Sequence, residues 1–260
     1  MLNHGLAHEL RLAIITSQLQ IAIQPQVNLS TLNMIGSEVL LRWHHPKLGF
    51  ISADRWVEIA EIHGLMPQLN RWLVGQITSI IKRNTHLSTT LAINIYPTSL
   101  DDTFVQFLLQ AIETAQINPK LIEIEITESA TVENLSTAAR CIRQLRDKGV
   151  IVSLDDFGSG YASMRYLVEL EVDKIKIDKS FIHKAESNRN ARLVLRNMIG
   201  LGKEINLKIL CEGIETKEQL NLVKSLGADE GQGYYFGKPQ LLTEQVKTAF
   251  NSQNSLLLAG

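Results

Sequence analysis

The sequence predicts an α/β fold, a single TIM-like (β/α)8 barrel made by the whole 260-residue chain. Three observations predict it. Strand-like segments alternate with helical periodicity from end to end, the pattern of parallel strands joined by helical crossovers. About eight strands in this length fit a closed barrel of roughly 250 residues better than an open sheet. No linker, low-complexity stretch or sequence repeat divides the chain, so one domain is expected, its core running over about 6–250.

The elements follow in order. A helix is expected at 6–17, then strands at 19–27 and 32–43. Helical patterns at 53–64 and 67–83 precede a strand at 89–95. The helix at 98–116 sets Phe104, Phe107, Leu108, Ala111 and Ile112 on one face and leads into a strand at 120–126. A helix at 130–148 stops at Gly149 with Lys148 in its last turn, a C-terminal signal. Strands at 150–155, 172–177, 207–211 and 229–233 come next, with helices at 160–169, 187–205, 216–226 and 242–251 between or after them.

Composition removes several function classes. A hydrophobic content of 45% and a mean hydropathy near zero describe an ordinary soluble globular chain. The formal net charge of −1 gives no electrostatic basis for binding duplex nucleic acid. No apolar run reaches the ~18–20 residues of a membrane span. The opening Met1-Leu2-Asn3-His4-Gly5 has no charged segment followed by an apolar core, so a cytoplasmic location is expected. Cys141 and Cys211 are expected as reduced, buried thiols, and neither has a second Cys or His at zinc spacing.

Function is written in the strands. Five of them, Ser37-Glu38-Val39-Leu40-Leu41-Arg42, Leu91-Ala92-Ile93-Asn94-Ile95, Ile122-Glu123-Ile124-Glu125-Ile126-Thr127-Glu128, Ile151-Val152-Ser153-Leu154-Asp155-Asp156 and Asp173-Lys174-Ile175-Lys176-Ile177-Asp178, carry polar groups where core belongs. Strand side chains alternate between faces. One parity holds Ile93, Ile95, Ile122, Ile124, Val152, Leu154, Ile175 and Ile177; the other holds Asn94, Glu123, Glu125, Asp155 and Lys176. In a barrel the active site lies at the C-terminal strand ends. Glu38, Asn94, Glu125, Asp155, Lys176 and Glu212 fall at or near six such ends.

Six carboxylates, Glu38, Glu125, Glu128, Asp155, Asp156 and Glu212, could share that mouth. Two like charges ~4 Å apart repel by about 4 kcal/mol at an effective dielectric near 20. Such a cluster takes up protons or holds cations. Oxygen donors with one amide suit Mg2+ or Mn2+ rather than zinc or copper. Adjacent Asp155 and Asp156 allow one carboxylate to bridge two ions, an arrangement that clamps an in-line phosphoryl displacement. Lys176 can hold the attacking water or a phosphoryl oxygen.

Singly, each residue has a plainer explanation: a solvated glutamate, a turn at Asp155-Asp156-Phe157-Gly158, a snorkelling lysine. Six compatible strand ends together are a poor coincidence. A kinase-type Asp-Phe-Gly fails because no glycine-rich loop or His-Arg-Asp lies upstream. Gly158-Ser159-Gly160 lacks the Lys-Ser/Thr of a phosphate loop.

From about residue 6 to 250 the chain resembles the EAL-domain cyclic di-GMP phosphodiesterases. Glu38-Val39-Leu40, followed by Leu41-Arg42-Trp43, resembles the signature that names the family. Gln24-Pro25, Asn94-Ile95, Glu125-Ile126-Thr127-Glu128, Asp155 to Tyr161, Lys176-Ile177-Asp178, Glu212-Gly213-Ile214-Glu215-Thr216 and Gln232-Gly233-Tyr234-Tyr235-Phe236 extend the match. The resemblance implies a barrel whose first strand is antiparallel, and hydrolysis of cyclic di-GMP to linear pGpG with two Mg2+ or Mn2+ ions. It implies Glu38, Asn94, Glu125 and Asp155 as ligands of one ion, and Asp155 and Asp156 of the second, with Glu212 as ligand or base. Lys176 is implied as the catalytic lysine, and Glu128 as the anchor of the loop from Phe157 to Met164. Gln24, Leu41, Arg42, Glu215, Gln232 and Tyr235 are implied as substrate contacts; Arg42 also makes independent sense as a fork of donors for phosphate oxygens.

The resemblance further implies a homodimer, and in a longer parent chain an upstream sensory or cyclase domain. Departures are few. Tyr96-Pro97 stands where the family has a small Ser two residues after Asn94, Ala162-Ser163-Met164 replaces Ser-Ser-Leu, and Ala53 replaces Pro. Tyr96 shares the parity of Asn94 and is expected at the rim, altering affinity. The competing function is a receptor that binds cyclic di-GMP without cutting it. Retention of every ligand position favours catalysis.

Overall fold

The computed structural model describes residues 2–16, 18–96, 99–127, 135–158 and 163–242. Helix α1 (Leu2–Ile15) leads into β1 (Leu19–Asn28), β2 (Met34–His45) and β3 (Gly49–Ile51). Next come α2 (Ala53–Ile62), α3 (Met66–Arg83), β4 (Thr90–Ile95), α4 (Asp102–Ala115) and β5 (Ile122–Thr127). They are followed by α5 (Leu135–Asp147), β6 (Ile151–Phe157), α6 (Ser163–Glu169), β7 (Lys174–Ile177), α7 (Lys179–Ser187) and α8 (Arg189–Glu204). Strand β8 (Lys208–Cys211), helix α9 (Lys217–Leu226), β9 (Glu230–Gln232) and β10 (Gln240–Leu241) complete the chain.

The strands run β1-β9-β8-β7-β6-β5-β4-β2, and a β1–β2 pairing closes the circle into an eight-stranded barrel. β1 is antiparallel to both its barrel neighbours, while the remaining barrel pairs are parallel. The fold class and the reversed first strand are as expected. β3 and β10 add short antiparallel strands outside the circle.

The isoleucine parity explains how the helices attach. Ile93, Ile95, Ile124, Val152, Leu154, Ile175 and Ile177 are buried in one core with Ile77, Leu108, Ile142 and Leu195 of the surrounding helices. A second core joins α1, α2 and the start of α3 to Trp43 of β2, through Leu10, Trp56, Ile59 and Leu69. That second core explains why β2 outruns its expected end at 43 and turns back into β3: Trp43 and Ile51, paired across the turn, are both buried.

The expected helix at 187–205 is α8, and a helix that was not expected, α7, precedes it. Asn188 separates the two, its side chain accepting from the backbone N–H groups of Asn190 (2.8 Å) and Ala191 (3.1 Å) to cap α8. The preceding α7 is capped by Asp178, which accepts from Ser180 N at 2.9 Å. The expected helix at 242–251 lies outside the described residues except for its first position, as do the openings of those at 130–148 and 160–169. Among the described residues no helix is long and apolar enough to cross a membrane.

The barrel interior departs from the branched aliphatic filling usual for this fold. At its floor Lys174 Nζ lies 2.9 Å from Glu123 Oε2 and 2.8 Å from Glu230 Oε2, all three buried. Burial alone would lower the Lys174 pKa, but these carboxylates more than reverse it. Charges this deep persist only when paired.

Candidate metal centre

Above that floor the inward parity of six successive segments delivers six polar groups. β2 supplies Glu38, β4 Asn94, β5 Glu125, β6 Asp155 and β7 Lys176, and Glu212 follows the last residue of β8. Lys176 is their hub. Its fully buried ammonium lies 3.0 Å from Glu125 Oε1, 3.0 Å from Asp155 Oδ1, 2.9 Å from Glu212 Oε1 and 3.9 Å from Glu38 Oε2. Asn94 Nδ2 donates to Glu38 Oε1 at 2.9 Å.

Asp156 reaches the same mouth by a different route. Alternation alone would send it to the face opposite Asp155. Its backbone adopts φ +54°, a left-handed conformation uncommon for a residue with a side chain. The β6–β7 register shifts between Leu154 and Phe157 at the same place. The consequence is that one carboxylate oxygen from each of Asp155, Asp156 and Glu212 lies within 4.8 Å of the others. Local backbone strain of this kind belongs to sites rather than to packing.

Three glutamines support the ring from below. Gln232 Nε2 donates a short hydrogen bond to Glu38 Oε2 and a second to Gln24 Oε1 at 3.2 Å. Gln26 Nε2 donates to Gln232 Oε1 at 3.0 Å and reaches Glu125 Oε1 at 3.4 Å. Gly233, at φ +156°, lets β9 press against the segment after Glu212: a Cβ there would overlap the Ile214 backbone. Ile214 N donates to Gln232 O at 3.0 Å across that contact.

The other expected substrate contacts are spread around the rim. Leu41 and Arg42 are half-buried on the continuation of β2, with Arg42 donating to Leu41 O at 2.9 Å. Burial pulls the Arg42 pKa below its usual value, opposed by Glu38. Glu215 is exposed, its N–H held by Gln219 Oε1 at 2.6 Å. Tyr235 is exposed and stands edge-on to Phe236. Gln24 and Gln232 lie deeper, both buried. Tyr96 is half-buried and packs on the second core; burial and then Glu61 and Glu38 push its phenol up to about 12. Glu128 lies outside the described residues, as do residues 159–162 of the loop it was expected to anchor.

Electrostatics separates this cluster from a structural ion network. Glu38, Glu125, Asp155, Asp156 and Glu212 offer five carboxylates to one ammonium. Burial raises Glu125 well above the usual carboxylate range even though Lys176 opposes it. Burial also raises Asp155, pushes Asp156 up to about 6 with Asp155 as the second cause, and pushes Glu212 up to about 8. Lys176 itself, lowered by burial, is carried well above the lysine range by Asp155, Glu125, Glu212 and Glu38. A buried acidic excess of this kind calls for protons or cations. The donor set fits a hard divalent cation: every acidic group is a carboxylate, and Glu125 Oε2 is fully buried without a hydrogen-bond partner.

Gln26, Lys174 and Glu230 were not among the expected site residues. The signal was available: each sits two residues from a site position, Gln24, Lys176 and Gln232, and therefore shares its inward parity. Glu123, grouped with the site by parity, belongs instead to the floor.

Known proteins resemble the chain in both sequence and fold. The family model described as EAL domain matches residues 7–239. Cyclic di-GMP phosphodiesterase PA2567 of Pseudomonas aeruginosa is 34% identical over 86% of this chain and 38% of its own length. Cyclic di-GMP phosphodiesterase NbdA of the same organism is 32% identical over 89% of this chain and 30% of its own. The chain thus spans about a third of these curated relatives. The structure titled "PaMucR Phosphodiesterase, c-di-GMP complex" superposes with a TM-score of 0.86 at 31% identity, covering 93% of this chain and 99% of that one. With the motifs in order, the barrel with its reversed first strand and the family match over most of its length, this chain belongs to the EAL domain family.

Proposed function

We propose that the chain hydrolyses cyclic di-GMP to linear pGpG with two bound Mg2+ or Mn2+ ions. The observation that carries this is the convergence of Asp155, Asp156 and Glu212 within 4.8 Å beside the Lys176 hub. Relatives named as cyclic di-GMP phosphodiesterases support the substrate. Glu38, Asn94, Glu125 and Asp155 would hold one ion, and Asp155, Asp156 and Glu212 the other. Such ions neutralise charge building on the phosphoryl oxygens and acidify the attacking water.

The chain's own groups do the rest. Lys176, touching Asp155 and Glu212 at once, fixes the spacing between the two ligand sets and donates to an oxygen of the reacting phosphate. Glu212, paired with Lys176 at 2.9 Å and converging with Asp155 and Asp156, takes the proton of the attacking water as its carboxylate. Arg42 presents its fork to the second phosphate, and Leu41, Glu215 and Tyr235 receive the guanines at the rim.

The test is incubation of the purified chain with cyclic di-GMP and Mn2+, followed by chromatography. pGpG is expected from wild type, and none from Asp155→Ala. Glu212→Gln should lose orders of magnitude in turnover while still binding substrate. Tight binding by wild type without any pGpG would make the chain a receptor and refute the proposal.

A further inference from the structure

The geometry points to Gln26 as a positioning residue for the site, its amide fixing Glu125 directly and Glu38 through Gln232. The inference rests on the metal-dependent reading above and gives work to a residue outside it.

Its direction is dictated by charge. An ionised carboxylate only accepts hydrogen bonds, so Gln232 must turn its –NH2 toward Glu38 Oε2. The Gln232 carbonyl therefore faces the opposite way, toward Gln26 Nε2 at 3.0 Å. The same nitrogen lies 3.4 Å from Glu125 Oε1. Both hydrogens of the Gln26 amide are thus engaged, one by the Gln232 carbonyl and one by the Glu125 carboxylate, and neither amide can flip without setting acceptor against acceptor.

The other end of Gln26 shows that packing alone does not account for it. Gln26 is fully buried, yet its Oε1 has no hydrogen-bond partner. That oxygen faces Gly36, its cross-strand partner, where a Cβ would come within 3.1 Å of it and overlap Thr90 Oγ1. An unsatisfied buried acceptor is unfavourable, and an apolar side chain would avoid it. What the arrangement achieves is control of Glu125. Oε1 is held from two sides, by Gln26 and by Lys176 at 3.0 Å, which leaves Oε2 free of partners and open to a cation. Partners that orient ligand groups in this way tune affinity for the ion.

The test is titration of the purified chain with Mn2+ alone, by calorimetry, for wild type and Gln26→Met, a side chain of similar length without the donor. Gln26→Met is expected to bind Mn2+ about 10–100-fold more weakly. Turnover of cyclic di-GMP should return to near the wild-type rate at saturating Mn2+, since no reacting group has changed. Mn2+ affinity within about twofold of wild type, with or without a fall in Tm, would overturn the inference. Gln26→Asn, which keeps the amide but draws it back by one carbon, decides the matter if the Met variant does not fold, and it should likewise weaken Mn2+ binding. Loss of the fold in both would assign Gln26 to the core and reject the positioning role. Failure of wild type itself to bind Mn2+ would instead sink the metal-dependent reading, and this inference with it.

Discussion

Replacing Lys174 by Met tests whether the barrel floor is held by charge pairing. Met keeps the unbranched stem, so packing volume changes little. The substitution leaves Glu123 and Glu230, now 2.9 and 2.8 Å from no cation, facing the same buried point. Removing one partner of a buried pair costs about 3–5 kcal/mol because the remaining charge is stranded. Two are stranded here, and Glu123 Oε1 already lacks a hydrogen-bond partner. The upper half of that range is expected at pH 8. At pH 5 the deficit should shrink, since at least one of the two glutamates would take a proton in the folded variant. The sign follows from linkage: that folded form binds more protons than the unfolded one, so stability falls as pH rises. Urea unfolding followed by tryptophan fluorescence reads this directly, because Trp43 and Trp56 are buried. Adding Glu123→Gln to the variant should recover part of the loss. A cost below about 1 kcal/mol, or one independent of pH, would refute the claim that the floor depends on ion pairing.

Two further outcomes can be checked together. In EDTA, Glu212 at about 8 keeps a proton that the unfolded chain releases near 4.5, so its contribution to wild-type stability is lost as pH rises through that window. Glu212→Gln has no such titration and should gain on wild type by on the order of 2–4 kcal/mol between pH 5 and 9; parallel stability curves would contradict this. Tyr96→Ser, which clears a half-buried ring from the rim, should lower KM for cyclic di-GMP by about threefold with little change in kcat, and an unchanged KM would remove Tyr96 from the binding surface.

Much of the barrel was legible because the two parities of its strands carry different chemistry. Isoleucines on one parity announce the helix-facing side, and Asn94, Glu125, Asp155 and Lys176 on the other announce the mouth. Four features were not legible from pattern. Strand direction leaves no trace in alternation, so the reversal of β1 came from resemblance. Asp156 breaks alternation through its backbone, and φ +54° cannot be read from residue type. Helix α7 was hidden because Asp178 closes one strand motif and also caps the next helix. The split between floor and mouth was hidden as well, since Glu123 and Glu125 share a parity and only barrel closure shows which pairs with Lys174 and which with Lys176.

The reversed first strand has a mechanical consequence. β1 starts beside Trp43, at the open end of β2, and descends to Asn28 beside Glu230. Helix α1 is thereby carried to the reactive end, where Glu9 meets His45 at 2.9 Å, seven residues along the strand from Glu38. Were every strand parallel, a pull on the leading helix would have to travel the full height of the barrel. Here it enters at the end of β2 that lies beyond Glu38, so helix α1 and the acidic ring lie toward the same end of the barrel.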